Sequence, residues 1–143
     1  MKTKLYHTTG RVIESISTTG MFGSFLFFGE EAAHYGDIMY TIELDSDDVI
    51  EPYEFFYRED ASKLDNVVSE VMDLFDCDEE AAQDFLSEKA LPSSASAEDS
   101  WELQKLTAEC AQVLGYRAVA VQDEYGTSYM IDMLNHESEL VRV

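Results

Sequence analysis

Residues 114–133 read LGYRAVAVQDEYGTSYMIDM, and this stretch decides the fold class. YRAVAVQ (116–122) is an apolar run typical of a strand, and YMIDML (129–134) predicts the next strand after a glycine-containing turn. Gly115, directly before the first strand, is suited to the left-handed conformation in which helices often end. The stretch therefore predicts the end of a helix followed by a β-hairpin.

Upstream of this hairpin the apolar residues recur at helical spacing. From Ala61 onward they predict an amphipathic helix capped by Asp60 or Ser62. CDEEAAQDFLSEKA (77–90) predicts a second helix, whose acidic start suits the helix dipole. SWELQKLTAECAQVLG (100–115) predicts a third helix.

The N-terminal part of the chain is typical of strands joined by short helical segments. KLYHTT and IMYTIEL predict strands, FLFFG a buried apolar run, and DVIEPYEFF an extended segment as far as Pro52. RVIESIST predicts a short helix or turn, and EEAAHYG a helical turn closed by Gly36. With ELVRV (139–143) completing a C-terminal β-meander, strands from both ends form a sheet around a helical insertion. The expectation is one α+β domain spanning residues 1–143.

The charge is the unusual feature of the composition. The chain is 45% hydrophobic and 12% aromatic, which is typical of globular proteins, and it carries 30 acidic against 9 basic residues, a net charge of −21. Such a surface repels nucleic acid, so we expect no direct nucleic-acid binding and a basic protein as partner. Residues 43–99 hold 19 acids and 3 bases, or −16 of the total. The alternative is that this segment is simply a solvated face.

Several other classes of protein do not fit the sequence. The absence of an 18-residue apolar run predicts no membrane span. Cys77 and Cys110 have no C-x-x-C spacing and are expected to be reduced and buried, as in a cytoplasmic protein. The three histidines lack ligand spacing, so no metal site is expected, and a calcium-loop pattern fails at Ala81, where glycine is needed.

The polar residues that interrupt otherwise apolar segments remain as candidate catalytic or ligand-binding residues. They are His7, Thr8, Tyr35, Gln122, Asp123 and Glu124. Each also has a structural explanation. A histidine after an apolar strand is often a hydrogen-bonded structural residue, Tyr35 fits a core position, and QDE before a turn is typical of a hairpin shoulder.

Taken in chain order, these motifs resemble a known family. LYHTT, FFGEEAAHYG and LGYRAVAVQDEYGTSYMIDM resemble the ADP-ribosyltransferase fold, which uses a His, Tyr and acid set. The C-terminal half is similar to phage anti-CRISPR ADP-ribosyltransferases that act on the type I-F CRISPR surveillance complex. The resemblance implies a mixed or antiparallel sheet with an acidic helical insertion. It also implies NAD as co-substrate, and mono-ADP-ribosylation of the large PAM-reading subunit in the cytoplasm of the infected bacterial host.

The resemblance also implies roles for individual residues. His7 is expected to bind a ribose hydroxyl of NAD, with the Thr8 backbone available to the nicotinamide amide. Tyr35 is expected to stack on nicotinamide, and Phe28 to line the pocket.

The resemblance leaves the identity of the acid open. Asp123 is the preferred carboxylate because it shares a strand face with Val119 and Val121. The family's usual Gln/Glu-x-Glu arrangement is also met, by Gln122 and Glu124, and Gln122 is expected to be among the NAD-binding residues.

Two other functions remain open. A non-enzymatic acidic DNA mimic that fills the effector's DNA groove would explain the charge equally well. A mimic does not require His7, Tyr35 or a carboxylate in the hairpin, so these residues discriminate between the two. A transferase acting on another protein is the third possibility.

Overall fold

Two small sheets and three α-helices form the protein in its computed structural model, which describes residues 2–9, 13, 24–30, 38–92, 96–123, 126–134 and 136–142. The strands are β1 (Lys2–Thr9), β2 (Phe25–Phe28), β3 (Ile38–Asp45), β4 (Val49–Ile50), β5 (Ala118–Asp123), β6 (Gly126–Asp132) and β7 (Val141–Arg142). The helices are α1 (Asp65–Phe75), α2 (Glu79–Leu86) and α3 (Ala97–Val113). The α+β class predicted from the sequence is confirmed.

The strands pair in two separate sheets. The first has the order β1-β3-β7 and is antiparallel, and the second has the order β2-β6-β5-β4, in which only β4 and β5 run parallel. The predicted hairpin of β5 and β6 is confirmed. The predicted meander is wrong in its last step, because β7 pairs with Tyr40 and Thr41 of β3 instead of continuing the second sheet.

One pair of backbone hydrogen bonds joins the two sheets. The Tyr6 amide donates to the Gly29 carbonyl at 2.8 Å, and the Gly29 amide donates to the Tyr6 carbonyl at 2.9 Å. Because Gly29 directly follows β2, this bridge connects β1 of the first sheet to β2 of the second. The register of the site described below follows from it.

Side chains alternate along each strand, so the second sheet supports a core on each of its two faces. One face, with Val119, Val121 and Met130, packs against the helices and against Phe55. The other face, with Ala118 and Ile131, packs against the first sheet. We call this face, together with the face of the first sheet that packs against it and carries Leu5 and Ile42, the intersheet face.

The helices show where the sequence predictions hold and where they fail. Residues 61–64 form a short 3-10 helix, and α1 then follows Leu64 at its N-cap without a side-chain cap, so the predicted cap at Asp60 or Ser62 is wrong. Leu64 is fully buried, and this burial sets the start of the helix. Ser96 caps α3 by accepting from the Asp99 amide at 3.1 Å, four residues before the predicted start.

Other expectations are met or lie outside the described residues. Gly115 has φ +91°, as predicted for the residue that follows a helix. The chain is extended up to Pro52, where a 3-10 helix begins. Both cysteines are free thiols, and Cys110 is buried as expected, whereas Cys77 is only half-buried. RVIESIST, apart from Ile13, and EEAAHYG, apart from Glu30, are not among the described residues.

No helix in the described part of the chain is both long enough and apolar enough to cross a bilayer.

The helix-facing core predicts a clear stability contrast within α3. Leu106 is 2% exposed and Val113 is 43% exposed. Leu106→Ala should lower the free energy of unfolding by about 3 kcal/mol because it leaves a cavity. Val113→Ala should change it by less than about 0.5 kcal/mol. Urea unfolding of both variants measures this contrast, and equal losses would mean that α3 does not pack through Leu106.

Candidate functional site

His7 lies on β1 with its side chain on the intersheet face, the face it shares with Leu5 by strand alternation. Its Nδ1 donates to the carbonyl of Phe27 at 2.7 Å. The imidazole also packs against the Phe28 ring, with centroids 5.4 Å apart and planes tilted by 44°. The imidazole is therefore held by a backbone hydrogen bond and by an aromatic side chain of β2.

The hydrogen bond to Phe27 determines the tautomer of His7. A carbonyl oxygen can only accept, so Nδ1 carries the proton and Nε2 of the neutral ring has its lone pair available. An unprotonated Nε2 accepts a hydrogen bond from a hydroxyl group. The structural and the functional interpretation of His7 are thus compatible, because each uses a different nitrogen.

Phe28 and Thr8 take different positions beside His7. Phe28 is 2% exposed and belongs to the core between the sheets, where it supports the imidazole. Thr8 is half-buried and pairs with Met39 of β3. The Tyr6 backbone groups point away from β3 to Gly29, and those of Thr8, two residues later, point toward the same edge. This is the geometry expected of a backbone that binds an amide.

Gln122 lies near the end of β5, on the intersheet face by its register with Ala118 and Ala120. Its Nε2 donates to Thr127 Oγ1 of β6 at 3.0 Å. Its backbone amide donates to both carboxylate oxygens of Glu88, at 3.4 and 3.2 Å. Gln122 is therefore held through its side chain and through its backbone.

The carboxylate candidates follow Gln122 at the turn of the hairpin. Asp123 is the last residue of β5 and pairs with Gly126, whose φ of +116° suits glycine. Glu124, Tyr35 and the side chain of Asp123 lie outside the described residues. Val119 and Val121 pack against the helices, so the face that they share is not an argument for Asp123. Because β5 ends at Asp123, alternation does not choose between the two acids.

A cavity of about 360 Å³ opens on the intersheet face. Its lining combines apolar side chains with Tyr53, Tyr129 and the carboxylates of Glu51 and Glu54. Its lining residues are Thr3, Leu5, Leu44, Ser46, Val49, Glu51, Tyr53, Glu54, Ala120 and Tyr129. Leu5 is two residues from His7 and Ala120 two residues from Gln122, so the cavity lies along the same faces of β1 and β5 as these candidates.

The electrostatics of this cavity are negative. Burial and a 2.7 Å hydrogen bond from the Tyr129 hydroxyl to Glu30 Oε1 raise the pKa of Tyr129 to about 12. The charges of Glu51 and Glu54 raise the pKa of Tyr53. A diphosphate would be repelled here, whereas a cationic or neutral ring would be accepted.

The sequence did not single out Tyr129, Glu30 or Glu88. Tyr129 could have been found by counting forward along β6 from Gly126, because the register of the hairpin sets it opposite Ala120. Glu30 and Glu88 come from loops, and only the fold brings them to β6 and β5. Among the described residues, no three His, Cys, Asp or Glu side chains are placed to hold a metal ion.

Comparisons with known proteins agree with this architecture. Residues 6–138 match the profile of the family described as Anti-CRISPR Type I-F ADP-ribosyltransferase AcrIF11. A solved structure titled "Crystal structure of an anti-CRISPR protein" superimposes with a TM-score of 0.63 and 27% sequence identity, covering 92% of this chain and 90% of that chain. No curated protein sequence matches significantly.

The tautomer of His7 is directly testable. At a pH where the ring is neutral, long-range proton–nitrogen correlation spectra should show Nδ1 protonated and Nε2 unprotonated, because Phe27 accepts from Nδ1. This is the minor tautomer of a free histidine, so the result is not expected by default. A neutral His7 protonated on Nε2 would contradict the hydrogen bond and the role drawn from it.

Proposed function

The chain belongs to the anti-CRISPR type I-F ADP-ribosyltransferase family, and on this basis we propose that it transfers ADP-ribose from NAD to the large PAM-reading subunit of a type I-F CRISPR effector. The observation that carries the proposal is the extent of the family match, residues 6–138, which includes every candidate site residue. Modification of that subunit would block recognition of target DNA. The site of action would be the cytoplasm of the infected bacterial host.

The proposed reaction makes modest chemical demands. The bond between the ribose and the nicotinamide nitrogen breaks with its electron pair passing to nicotinamide, which leaves as a neutral molecule. The acceptor nucleophile forms the new bond to the same ribose carbon and loses its proton. Because the leaving group is already activated by its positive charge, the enzyme has mainly to hold NAD and to stabilise positive charge on the ribose.

His7 and its surroundings are suited to the first requirement, which is to hold NAD. Nε2 of the Nδ1-protonated ring would accept a hydrogen bond from a ribose hydroxyl, and the Thr8 backbone would bind the nicotinamide amide. Tyr35 would stack on nicotinamide. The carboxylates of Glu51 and Glu54 suit the cationic nicotinamide end of NAD and disfavour the diphosphate, which we therefore assign to a position away from that cavity.

The hairpin turn would meet the second requirement, which is to stabilise positive charge on the ribose. A carboxylate from Asp123 or Glu124 would stabilise the developing charge and accept the proton of the nucleophile. We retain Asp123 as the first candidate, because it ends β5 in a fixed backbone register, and Glu124 as its alternative. Gln122, with its side chain on Thr127, would stabilise the strand end beside the acid.

The acidic DNA mimic is the second candidate function. The charge of −21 supports it, since a strongly acidic protein would compete with DNA for a basic groove. It does not require His7 on the intersheet face or a carboxylate at the turn of the hairpin. Stoichiometry and NAD dependence separate the two functions.

The transferase is tested by intact mass measurement of a purified type I-F effector incubated with substoichiometric protein, with and without NAD. We expect one ADP-ribosyl unit on the large subunit, only with NAD, and more than one modified effector per protein molecule. Inhibition at equimolar protein without any mass change would leave the acidic mimic as the function.

Matched variants then identify the acid. Asp123→Asn and Glu124→Gln keep side-chain size, so thermal unfolding should be nearly unchanged. The variant of the true acid should lose at least about a hundredfold in rate, and the other should stay within a few-fold of wild type. Unchanged rates in both would remove the hairpin carboxylates from the mechanism.

The acidic segment predicts a salt-dependent encounter with the effector. A protein that reads DNA presents Lys and Arg, so opposite charge should steer association. The association rate should fall about tenfold between about 0.01 M and about 0.15 M ionic strength. A rate that does not change with salt would count against steering.

A matched pair of variants localises the effect. Asp73→Asn with Glu80→Gln neutralises two exposed acids of α1 and α2, and Glu98→Gln with Glu102→Gln removes the same charge from α3. Only the first pair should slow association markedly if α1 and α2 face the effector.

A further inference from the structure

Glu88 has an unusual backbone conformation for its residue type. It lies two residues after α2 and has φ +65°, in the left-handed region. The Lys89 amide donates to the Asp84 carbonyl at 2.9 Å and the Glu88 amide to the Phe85 carbonyl at 3.4 Å. This is the Schellman arrangement, in which glycine is the usual residue at the left-handed position.

Glutamate is a costly choice at this position. A residue with a Cβ is disfavoured in the left-handed region, whereas glycine enters it freely. The helix end itself therefore gains nothing from a glutamate, because its hydrogen bonds use only the backbone of residues 88 and 89. A side-chain contact elsewhere is the natural reason for the residue.

The Glu88 side chain contacts β5. Both of its carboxylate oxygens accept from the Gln122 backbone amide, across 34 positions in sequence. β4 pairs with β5 only at Ala118 and Val119, so among the described residues no strand pairs with this edge of β5 near Gln122. A carboxylate is a strong acceptor for a backbone amide, and here it takes the place of a strand partner.

The turn that carries Glu88 is itself fixed. The next residue, Lys89, donates to the Tyr57 hydroxyl at 2.9 Å, with its ammonium 4.6 Å from the centre of the Tyr57 ring. Ser87 Oγ donates to the Gln83 carbonyl at 2.7 Å. Glu88 thus projects from an anchored turn. A side chain can hold another group in place only if it is itself fixed.

We propose that Glu88 is a positioning residue, which fixes the end of β5 and through it the carboxylate at the hairpin turn. The inference rests on the proposed transferase function and deepens it, because Glu88 would act on the reaction through β5 and not by binding NAD or the acceptor itself. It is the link between the helical segment and the end of the strand that bears the acid. A displaced acid would stabilise the transition state less, while binding of NAD by His7 would be unaffected.

The test uses Glu88→Gly in the full-length protein. Glycine relieves the left-handed backbone, so thermal stability should be equal or higher. The Gln122 amide proton should move upfield and exchange with solvent several-fold faster. The kcat for ADP-ribosylation should fall about tenfold, with KM for NAD unchanged.

Glu88→Gln is the matched control, because its amide oxygen still accepts from the Gln122 amide. It should keep most of the amide protection and most of kcat. Glu88→Gly with unchanged Gln122 exchange would overturn the contact. Faster exchange with unchanged kcat would overturn the positioning role.

The amide measurement needs no enzymatic activity, so it separates this inference from the function on which it rests. If the wild-type protein transfers no ADP-ribose, the transferase and the catalytic part of this inference both fail. The Gln122 exchange rate would then still decide whether Glu88 holds β5.

Discussion

The candidate site depends on the two backbone hydrogen bonds between Tyr6 and Gly29. Apolar side chains alone would hold the two sheets together, but burial is non-directional and would leave their relative register free. The bridge fixes that register, and the next residue, His7, then meets the Phe27 carbonyl while its ring meets Phe28. The Tyr6–Gly29 bonds thus place the imidazole beside the Phe27 carbonyl, and the hydrogen bond to that carbonyl then determines the tautomer.

Two of the few cations of this acidic chain, Arg58 and Arg117, hold structural contacts. Arg58 pairs with Asp60 at 2.8 Å and donates to the Tyr116 hydroxyl at 2.7 Å, joining the segment before α1 to the turn that follows α3. Arg117 pairs with Glu139 at 3.1 Å. The exposed carboxylates of α1 and α2 therefore give that surface a negative potential, and a partner that approaches it gains most by being basic.

Local patterns in the sequence predicted most of the helices and strands. Long-range contacts determined the features that those patterns did not predict. The hairpin of β5 and β6 was predictable because alternation and Gly126 specify it locally. The pairing of β7 with Tyr40 and Thr41 was not, since a two-residue strand carries no signal for its partner. The start of α1 followed the burial of Leu64 instead of the polar caps at Asp60 or Ser62, because tertiary packing outweighs a single cap. Gln122 was foreseen as a candidate, but its support by Glu88 was not, since helix-end rules favour glycine there.

Structural contacts and proposed functional roles coincide in the residues of this site. The hydrogen bond of His7 Nδ1 is structural, and it is what leaves Nε2 as the acceptor. Gln122 is held by Thr127 through its side chain and by Glu88 through its backbone, directly before Asp123. Electrostatic stabilisation of a transition state requires a charge that is already in place, since a mobile carboxylate would lose its benefit in reorganising. Among the described residues no strand pairs with β5 near Gln122 on the side away from β6. The end of the hairpin therefore needs further contacts to be rigid, and for the proposed transferase these structural contacts would be a condition of the chemistry.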